Sequence, residues 1–252
     1  MKLLARSLAV LGLVGSIVLA PSLKGDIRVL ALPPEQILDK LRPVPVFTIT
    51  NEQGAPLVAS ISNEGENASV AGVFINRSDA ENFVNQLTQR NPELADSVKV
   101  VPVSLAEVYE MQQANAGATD RPLSFDYVAA ATQVDLARAV LAQNGQEADK
   151  FNGVPLFLAT GGQDNGYLTI EQGDQQVIPL FFQKADLEGL LGRLQSQQPD
   201  LAGSVSIQVV NLQGVFKLLQ NSNDQQLDKI VLIPPRESLE YIRELQGSQS
   251  GQ

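Results

Sequence analysis

The sequence predicts an α/β protein made of two tandem units, each with the element order βββαβαβα, related by a pseudo-twofold axis. The first observation behind this prediction is an internal repeat: residues 71–111 align without gaps to 178–218, with twelve identities in 41 positions, where chance gives about three. Each copy also opens on three short apolar or alternating runs separated by Gly- and Asn-rich turns, which is typical of antiparallel strands. Each copy then alternates amphipathic helices with apolar strands.

Both units follow the same order of elements. Apolar or alternating runs predict strands at 44–50, 57–62, 70–75, 98–103 and 125–131, and again at 154–160, 167–171, 177–182, 205–210 and 230–233. Helical spacing predicts a helix after the third strand of each unit, with one face made of Phe83, Val84 and Leu87, or of Leu187, Leu190, Leu191 and Leu194. Further helices are predicted at 105–111, 134–141, 212–219 and 237–245. Each unit combines hairpins with strands that are joined by helices. We therefore predict mixed sheets with helices packed on them.

Capping residues mark where several of these helices begin. Ser78 with Glu81 three residues later predicts a capping box at the first helix of the first unit. Ser104 with Glu107 predicts a second capping box, and Asn211 is the predicted cap of the corresponding helix in the second unit. These signals indicate that each helix begins directly after a strand.

The chain divides into five segments: a signal peptide (1–31), an N-terminal arm (32–43), the first repeat unit (44–145), the second repeat unit (146–245) and a flexible tail (246–252). Lys2 and Arg6 precede the charge-free run 8–20, which is typical of a Sec-type signal peptide. That run is shorter than the ~20 residues that span a bilayer, so we expect no integral membrane segment after cleavage. Cleavage after Ala31 is favoured, cleavage after Ala20 is the alternative, and a retained membrane anchor stays open.

Composition excludes several classes of function. The chain has 18 Lys and Arg against 28 Asp and Glu, a net charge of −10, so its field repels the phosphates of nucleic acids. It contains no Cys, His or Trp, which removes thiol nucleophiles, Ser-His-Asp triads, zinc-finger ligands and disulfides. We therefore expect no nucleic-acid partner.

The remaining motifs are weak evidence for catalysis. Asp79 with Glu81, and Asp186 with Glu188, form acid pairs, but acids in the first turn of a helix are what the helix dipole favours. The glycine-rich run 161–166 lacks the Lys-Ser/Thr of a phosphate-binding loop and is interpreted as a hairpin turn. A carboxylate-based hydrolase is the least favoured hypothesis. We expect no catalytic residues, no cofactor and no metal site.

Apolar residues at corresponding places in the two units are the candidate binding site. Pro cannot donate a ladder hydrogen bond, so the Val-Pro-Val-Phe and Val-Pro-Leu-Phe segments are predicted at edge or strand-start positions. With neighbouring aromatic residues they can line an apolar groove for extended polypeptide, although any single residue of this kind is more often a core residue. The predicted client-binding residues are Val44, Pro45, Val46, Phe47, Phe74, Val154, Pro155, Leu156, Phe157, Leu180 and Phe181.

These segments also carry a family resemblance. A signal peptide, Leu-Pro-Pro-Glu-Gln at 32–36, Val-Pro-Val-Phe at 44–47 and Gly-Val-Pro-Leu-Phe at 153–157 resemble the cyanobacterial branch of the twenty-two-kilodalton Tic family. The resemblance extends from Leu32 to about Leu245. It implies a pseudo-twofold α/β protein with apolar pockets that resides in the periplasm, chaperones precursor proteins and supports outer-membrane biogenesis. Plant members of the family serve in protein import between the chloroplast envelopes.

Two functions from different classes follow. The leading hypothesis is a non-enzymatic chaperone or transfer factor whose two weak apolar surfaces hold one extended client. Its expected partners are precursor polypeptides, outer-membrane barrel proteins and their assembly machinery. The alternative is a structural module that scaffolds an envelope complex through one folded partner. The expected location is the periplasm, with the thylakoid lumen as a second candidate.

Overall fold

Two mixed β-sheets and the helices around them make up the protein, for which a computed structural model describes residues 18–19, 32–63, 66–116, 123–162, 164–222 and 224–250. Apart from Val18 and Leu19, the predicted signal peptide lies outside these ranges. The strands are β1 (Val18–Leu19), β2 (Pro45–Asn51), β3 (Val58–Asn63), β4 (Glu66–Phe74), β5 (Val98–Ser104), β6 (Leu123–Val128), β7 (Pro155–Gly161), β8 (Gly166–Gln172), β9 (Gln175–Phe181), β10 (Ser206–Asn211) and β11 (Ile230–Ile233). The helices are α1 (Pro34–Leu41), α2 (Arg77–Arg90), α3 (Pro92–Asp96), α4 (Leu105–Asn115), α5 (Ala131–Gln143), α6 (Lys184–Gln197), α7 (Pro199–Ala202), α8 (Leu212–Asn221) and α9 (Arg236–Ser250), with 3-10 turns at Ala148–Lys150 and Gln225–Lys229.

The two sheets have the same strand order. In the first, β2 lies between β4 and β5, β6 adds to β4 in parallel, and β3 forms an antiparallel hairpin with β4. In the second, β7 lies between β9 and β10, β11 adds to β9 in parallel, and β8 pairs with β7 and β9. Even single pairs correspond, since Phe47 lies opposite Phe74 and Phe157 lies opposite Phe181. The predicted fold class is therefore confirmed.

The inner strands of each sheet are buried on both faces. Because successive side chains of a strand point to opposite faces, Val46 and Leu156 face a core shared by the two halves, whereas Phe47 and Phe157 face away from it. Helices α4 and α8 also contribute to the shared core, where Tyr109 packs 5.4 Å from Phe216, ring centroid to ring centroid. Tyr109 and Phe216 are equivalent in the 107-residue repeat, so the pseudo-twofold axis passes between them.

The last helix of each half covers the sheet of the other half. Ala137 of α5 packs in the outer core of the second sheet, and Tyr241 of α9 packs against the outer core of the first. Hydrogen bonds hold the start of each exchanged helix: the Ser238 hydroxyl donates to the Ile75 carbonyl (3.2 Å), and the Lys184 amide donates to Gln133 Oε1 (3.1 Å). Neither half is complete without a helix from the other, an exchange that the sequence analysis missed.

The predicted N-terminal arm forms α1, which packs against α4, α8 and β11. Ile37 and Leu41 are buried in the shared core, as their helical spacing predicts. The Lys40 ammonium donates to the carbonyls of Asp228 (2.7 Å) and Ile230 (3.2 Å), and burial lowers the pKa of Lys40 although Asp228 opposes the shift. The arm therefore joins the start of the first half to the last strand of the second.

Some local predictions are confirmed and others are wrong. The capping box of Ser104 with Glu107 is present, and Asn211 caps α8. The capping box of Ser78 with Glu81 is wrong: α2 begins at Arg77, the Ser78 amide donates to a glutamate of α9, and Glu81 pairs with Arg77. Tertiary contacts thus replace the local cap.

The ends of several elements also differ from the prediction. The predicted strand 125–131 ends at Val128, because α5 already begins at Ala131. Helix α9 continues to Ser250, although the sequence predicted a helix end at 245 and a flexible tail over 246–252. Residues 251–252 lie outside the described ranges.

Candidate functional site

The residues predicted to line an apolar groove are core residues in this fold. They lie in β2, β4, β7 and β9 or directly before these strands: Val44, Pro45, Val46, Phe47, Phe74, Val154, Pro155, Leu156, Phe157, Leu180 and Phe181. All are buried except Pro45, which is half-buried. A client cannot contact side chains that have almost no accessible surface, so an open groove at these positions does not exist in this structure.

Two features of the sheets explain this burial. Pro45 and Pro155 are the first residues of β2 and β7, as predicted for strand starts. The edge position was wrong, because β2 and β7 each have a strand on both sides. Inner strands that are covered on both faces bury every apolar side chain, whichever way it points.

A small pocket opens where the two halves meet, lined by Asn76, Gln133, Phe182 and Gln183 among others. Its cavity volume of about 10 Å³ is close to that needed by one water molecule and far below the ~300 Å³ at which pockets for small ligands begin. Asn76 is 5% exposed, its amide donates to Asp79 Oδ2 (3.0 Å), and its Oδ1 has no hydrogen-bond partner among the described residues. The pocket is too small to serve as the site for a polypeptide client.

The most accessible aromatic side chain next to a core lies on α2. Phe83 is 44% exposed and packs 5.7 Å from the buried Phe74, ring centroid to ring centroid. Beside it, Val84 and Tyr241 are half-buried against the outer core of the first sheet. We call Phe83, Val84 and Tyr241 the α2 face. It presents apolar surface that a second polypeptide can reach without opening the fold.

Arg77, the cation beside the α2 face, is already paired. Arg77 lies 4.0 Å from the centre of the Tyr241 ring and 2.6 Å from Glu81, and Tyr241 in turn packs 5.9 Å from Phe47, ring centroid to ring centroid. A cation held between a carboxylate and an aromatic ring has little free charge to offer a ligand. Apolar contact is therefore the chemistry that this surface offers.

The acid pairs considered for catalysis have ordinary structural partners. Glu81 pairs with Arg77, Glu188 pairs with Lys184, and Asp186 lies 3.9 Å from Arg236. Within the described ranges, no three or more Asp or Glu side chains gather as metal ligands do. The predicted turn at 161–166 joins β7 to β8, with Gly162 and Asn165 in the left-handed region at φ 76° and 51°.

The sequence places Phe83 on the apolar face of a helix and outside the predicted binding residues, so it does not predict the α2 face. Helical spacing places Phe83 with Val84 and Leu87, but it does not reveal how much of that side is covered. The repeat carried a usable signal: Ala80 in α2 stands where α6 has Leu187. Because Ala80 is smaller than leucine, less apolar side chain is present beside Phe83 to cover its ring.

Comparisons with known proteins match most of the chain. The model of the Tic22-like family matches residues 17–244. "Protein TIC 22-like, chloroplastic" of Arabidopsis thaliana is 27% identical over 205 residues, which are 80% of this chain and 61% of that protein. "Protein TIC 22, chloroplastic" of Pisum sativum is 26% identical over 206 residues, 81% of this chain and 74% of that one. The chain thus spans less than two thirds of the Arabidopsis relative.

Two solved structures share the fold. The structure of Anabaena Tic22, described as protein transport, has 34% identity and a TM-score of 0.74, and the match covers 84% of this chain and 97% of that one. Tic22 from Plasmodium falciparum has 21% identity and a TM-score of 0.65, with 84% and 98% covered, and shows likeness of fold alone. No helix within the described ranges is both long enough and apolar enough to span a bilayer.

Proposed function

Because the chain belongs to the Tic22-like family of protein-transport components, we propose that it is a non-enzymatic chaperone or transfer factor that binds precursor polypeptides. We further propose that it works in the periplasm after its leader is removed and delivers outer-membrane barrel proteins to their assembly machinery. The N-terminal sequence of the exported protein checks the leader, since cleavage after Ala31 leaves Leu32 as the first residue.

The observation that carries the chaperone proposal is the exposed aromatic ring on the α2 face. Phe83 is 44% exposed, whereas Leu190, its equivalent in the repeat, is 2% exposed. A half-exposed ring held against a buried one is a preformed contact for the apolar side chains of an unfolded client. The contact area is small, which favours weak binding and rapid exchange.

The strength of this contact suits a holdase better than a stable complex. Burying the remaining surface of one aromatic ring contributes on the order of 1–2 kcal/mol, so several such contacts are needed for useful affinity. Met111 and Leu218 are also exposed, 41% and 49%, at equivalent positions of α4 and α8. A long unfolded client can engage several of these positions at once and gain avidity from them.

The test replaces the ring and leaves the core alone. We expect Phe83→Gln to weaken the protection of an unfolded outer-membrane barrel protein against aggregation, measured by light scattering, by severalfold. Leu136→Gln is the matched control, because Leu136 is 38% exposed, close to Phe83, but lies on α5, outside the α2 face. Both variants should melt close to the parent chain, since neither leaves a buried cavity.

The result separates the chaperone from the alternative function. Protection that falls in Phe83→Gln alone assigns client binding to the α2 face. Equal loss in both variants indicates dispersed apolar contacts and removes the special role of the α2 face. Absence of protection by the parent chain, together with one stoichiometric folded partner, would favour the envelope scaffold.

A further inference from the structure

At one edge of the second sheet, β8 pairs with a short strand from the leader, the predicted signal peptide. Val18 and Leu19 form β1, which pairs antiparallel with β8 in the register Val18–Thr169 and Leu19–Leu168. Both residues fall within the predicted signal peptide, so the strand that completes this edge is expected to leave the protein on maturation.

The equivalent edge of the first sheet is different. Strand β3 pairs with β4, and no other described strand pairs with the opposite edge of β3. Extending the register of each hairpin makes Val58 of β3 the counterpart of Thr169 of β8. The two edges have the same place in the fold, yet among the described strands an added partner is found on β8 and not on β3.

The surroundings of the two edges explain the difference. Leu168 and Ile170 are 1% and 7% exposed and belong to the outer core of the second sheet, so β8 offers a partner mainly its backbone. Val58 is 40% exposed, and its neighbours Ala59 and Ser60 are exposed as well. Backbone groups in apolar surroundings hydrate poorly, and an added strand satisfies them best. Water satisfies the edge of β3 more easily.

We propose that the edge of β8 is a strand-addition site, and that its occupant in the mature protein is an extended apolar segment, followed by basic residues, of a client precursor. This inference rests on the proposed function of client binding. The leader occupies the site in cis until it is removed. Main-chain hydrogen bonds supply the binding and tolerate many sequences, which is what a receptor of diverse clients requires.

Charge complementarity supports this choice of occupant. Asp164 is exposed in the turn before β8, and the antiparallel register directs the C-terminal end of an added strand toward this turn. In the sequence, Lys24 and Arg28 follow the apolar Val18 and Leu19 of the present occupant. Opposite charges around a hydrogen-bonded strand set its orientation and speed its capture at low salt.

The first experiment tests occupation in cis. The parent chain has no cysteine, so a Val18→Cys/Thr169→Cys variant of the uncleaved chain reports this pairing without background. We expect it to form a disulfide under mild oxidation, because paired residues of antiparallel strands have the spacing that a disulfide needs. Val18→Cys/Val58→Cys is the control and should remain reduced. Equal cross-linking in both variants, or none in the first, would overturn the proposal.

The second experiment tests occupation in trans. The chain beginning at Leu32 is titrated with a labelled peptide of residues 14–25, and anisotropy follows binding. We expect saturable binding that weakens at least tenfold when the peptide is N-methylated at both Val18 and Leu19. Adjacent residues of a strand point their amides in opposite directions, so this change removes whichever amide faces β8. Equal binding of both peptides, or no binding, would overturn the proposal.

A tethered peptide separates this inference from the proposed function. The chain beginning at Leu32 with Thr169→Cys is joined by a disulfide to the same peptide carrying Cys at the place of Val18, and client protection is measured before and after reduction. We expect protection to fall severalfold while the peptide is attached and to return on reduction, with no effect of a tether at Val58→Cys. Unchanged protection would overturn the inference and leave the chaperone proposal standing. Specific peptide binding without any client protection would defeat the chaperone proposal instead.

Discussion

The outer faces of the two sheets are built on the same plan but are packed differently. On the second sheet, α6 buries three leucines, Leu187, Leu190 and Leu194, against strands β7 to β9. On the first sheet, α2 buries only Ala80 among its described side chains, and Phe83 stays 44% exposed. A tandem repeat can therefore preserve the backbone arrangement while one copy keeps a tight core and the other a partly open surface.

The exchanged helices decide how much each face depends on the other half. Tyr241 of α9 packs on Phe47 and so supplies cover that α2 does not. Ala137 of α5 adds to a second outer core that α6 already fills with leucines. The first face therefore relies on its borrowed helix more than the second does, and this difference can be tested directly.

Removing α9 should have the largest effect. A chain that ends at Pro235 loses the Tyr241 contact and the hydrogen bond from Ser238 to the Ile75 carbonyl. We expect its free energy of unfolding to fall by several kcal/mol, because large apolar side chains of the first sheet become exposed to water. Amide hydrogen exchange should show the loss of protection in β2 and β4 well before β7 and β9.

A chain that ends at Leu245 is the control for this truncation. It keeps Tyr241 and Ser238 and removes only the exposed end of α9, so its protection pattern should match that of the parent chain. Uniform loss of protection in both sheets after removal of α9 would contradict the unequal dependence of the two faces.

Equivalent substitutions in α2 and α6 should have an intermediate effect. Leu190→Ala leaves a cavity in the second outer core and should cost about 2–5 kcal/mol of unfolding free energy, measured in urea. Phe83→Ala should cost less, about 1–2 kcal/mol, because nearly half of that ring is already in water. A larger loss for Phe83→Ala would mean that the α2 face is a core and not a binding surface.

The smallest expected effect is a pH dependence of stability that arises in the core shared by the two halves. Burial, with a smaller contribution from Tyr109, raises the pKa of Tyr127 above its ordinary value of 10.0. Above pH 10 the unfolded chain loses this proton first, so stability that is complete below pH 10 should decrease as the pH rises, by up to about 1.4 kcal/mol per pH unit.

Variants of two tyrosines isolate this slope in urea melts at pH 9 to 11. Tyr127→Phe should flatten it, although the hydrogen bond from Tyr127 to Gln112 Oε1 (2.9 Å) is also lost. Tyr167→Phe is the control, because it makes the same change at a tyrosine that is 43% exposed. Equal slopes in both variants would show that Tyr127 is accessible to water and that the two halves are loosely joined.

Most of the fold was predictable because it depends on local patterns. Turns rich in Gly and Asn separate short apolar runs, and Ser104 with Glu107 specifies a helix start from neighbouring residues alone. The site was far less predictable. The segment Val-Pro-Val-Phe is compatible with an edge strand and with an inner strand. Which one forms depends on its pairing with β5, some fifty residues away in the sequence.

By itself, the sequence determined the duplicated order of elements, the pattern of apolar side chains on each strand and the absence of thiol and imidazole chemistry. These properties depend on composition and on periods of two or 3.6 residues, which act over short stretches of chain. The tertiary structure decided that α5 and α9 exchange sheets, that Phe47 and Phe157 are core residues and that Phe83 remains accessible. Burial depends on what packs against a side chain, and here the covering helix comes from the other half of the molecule.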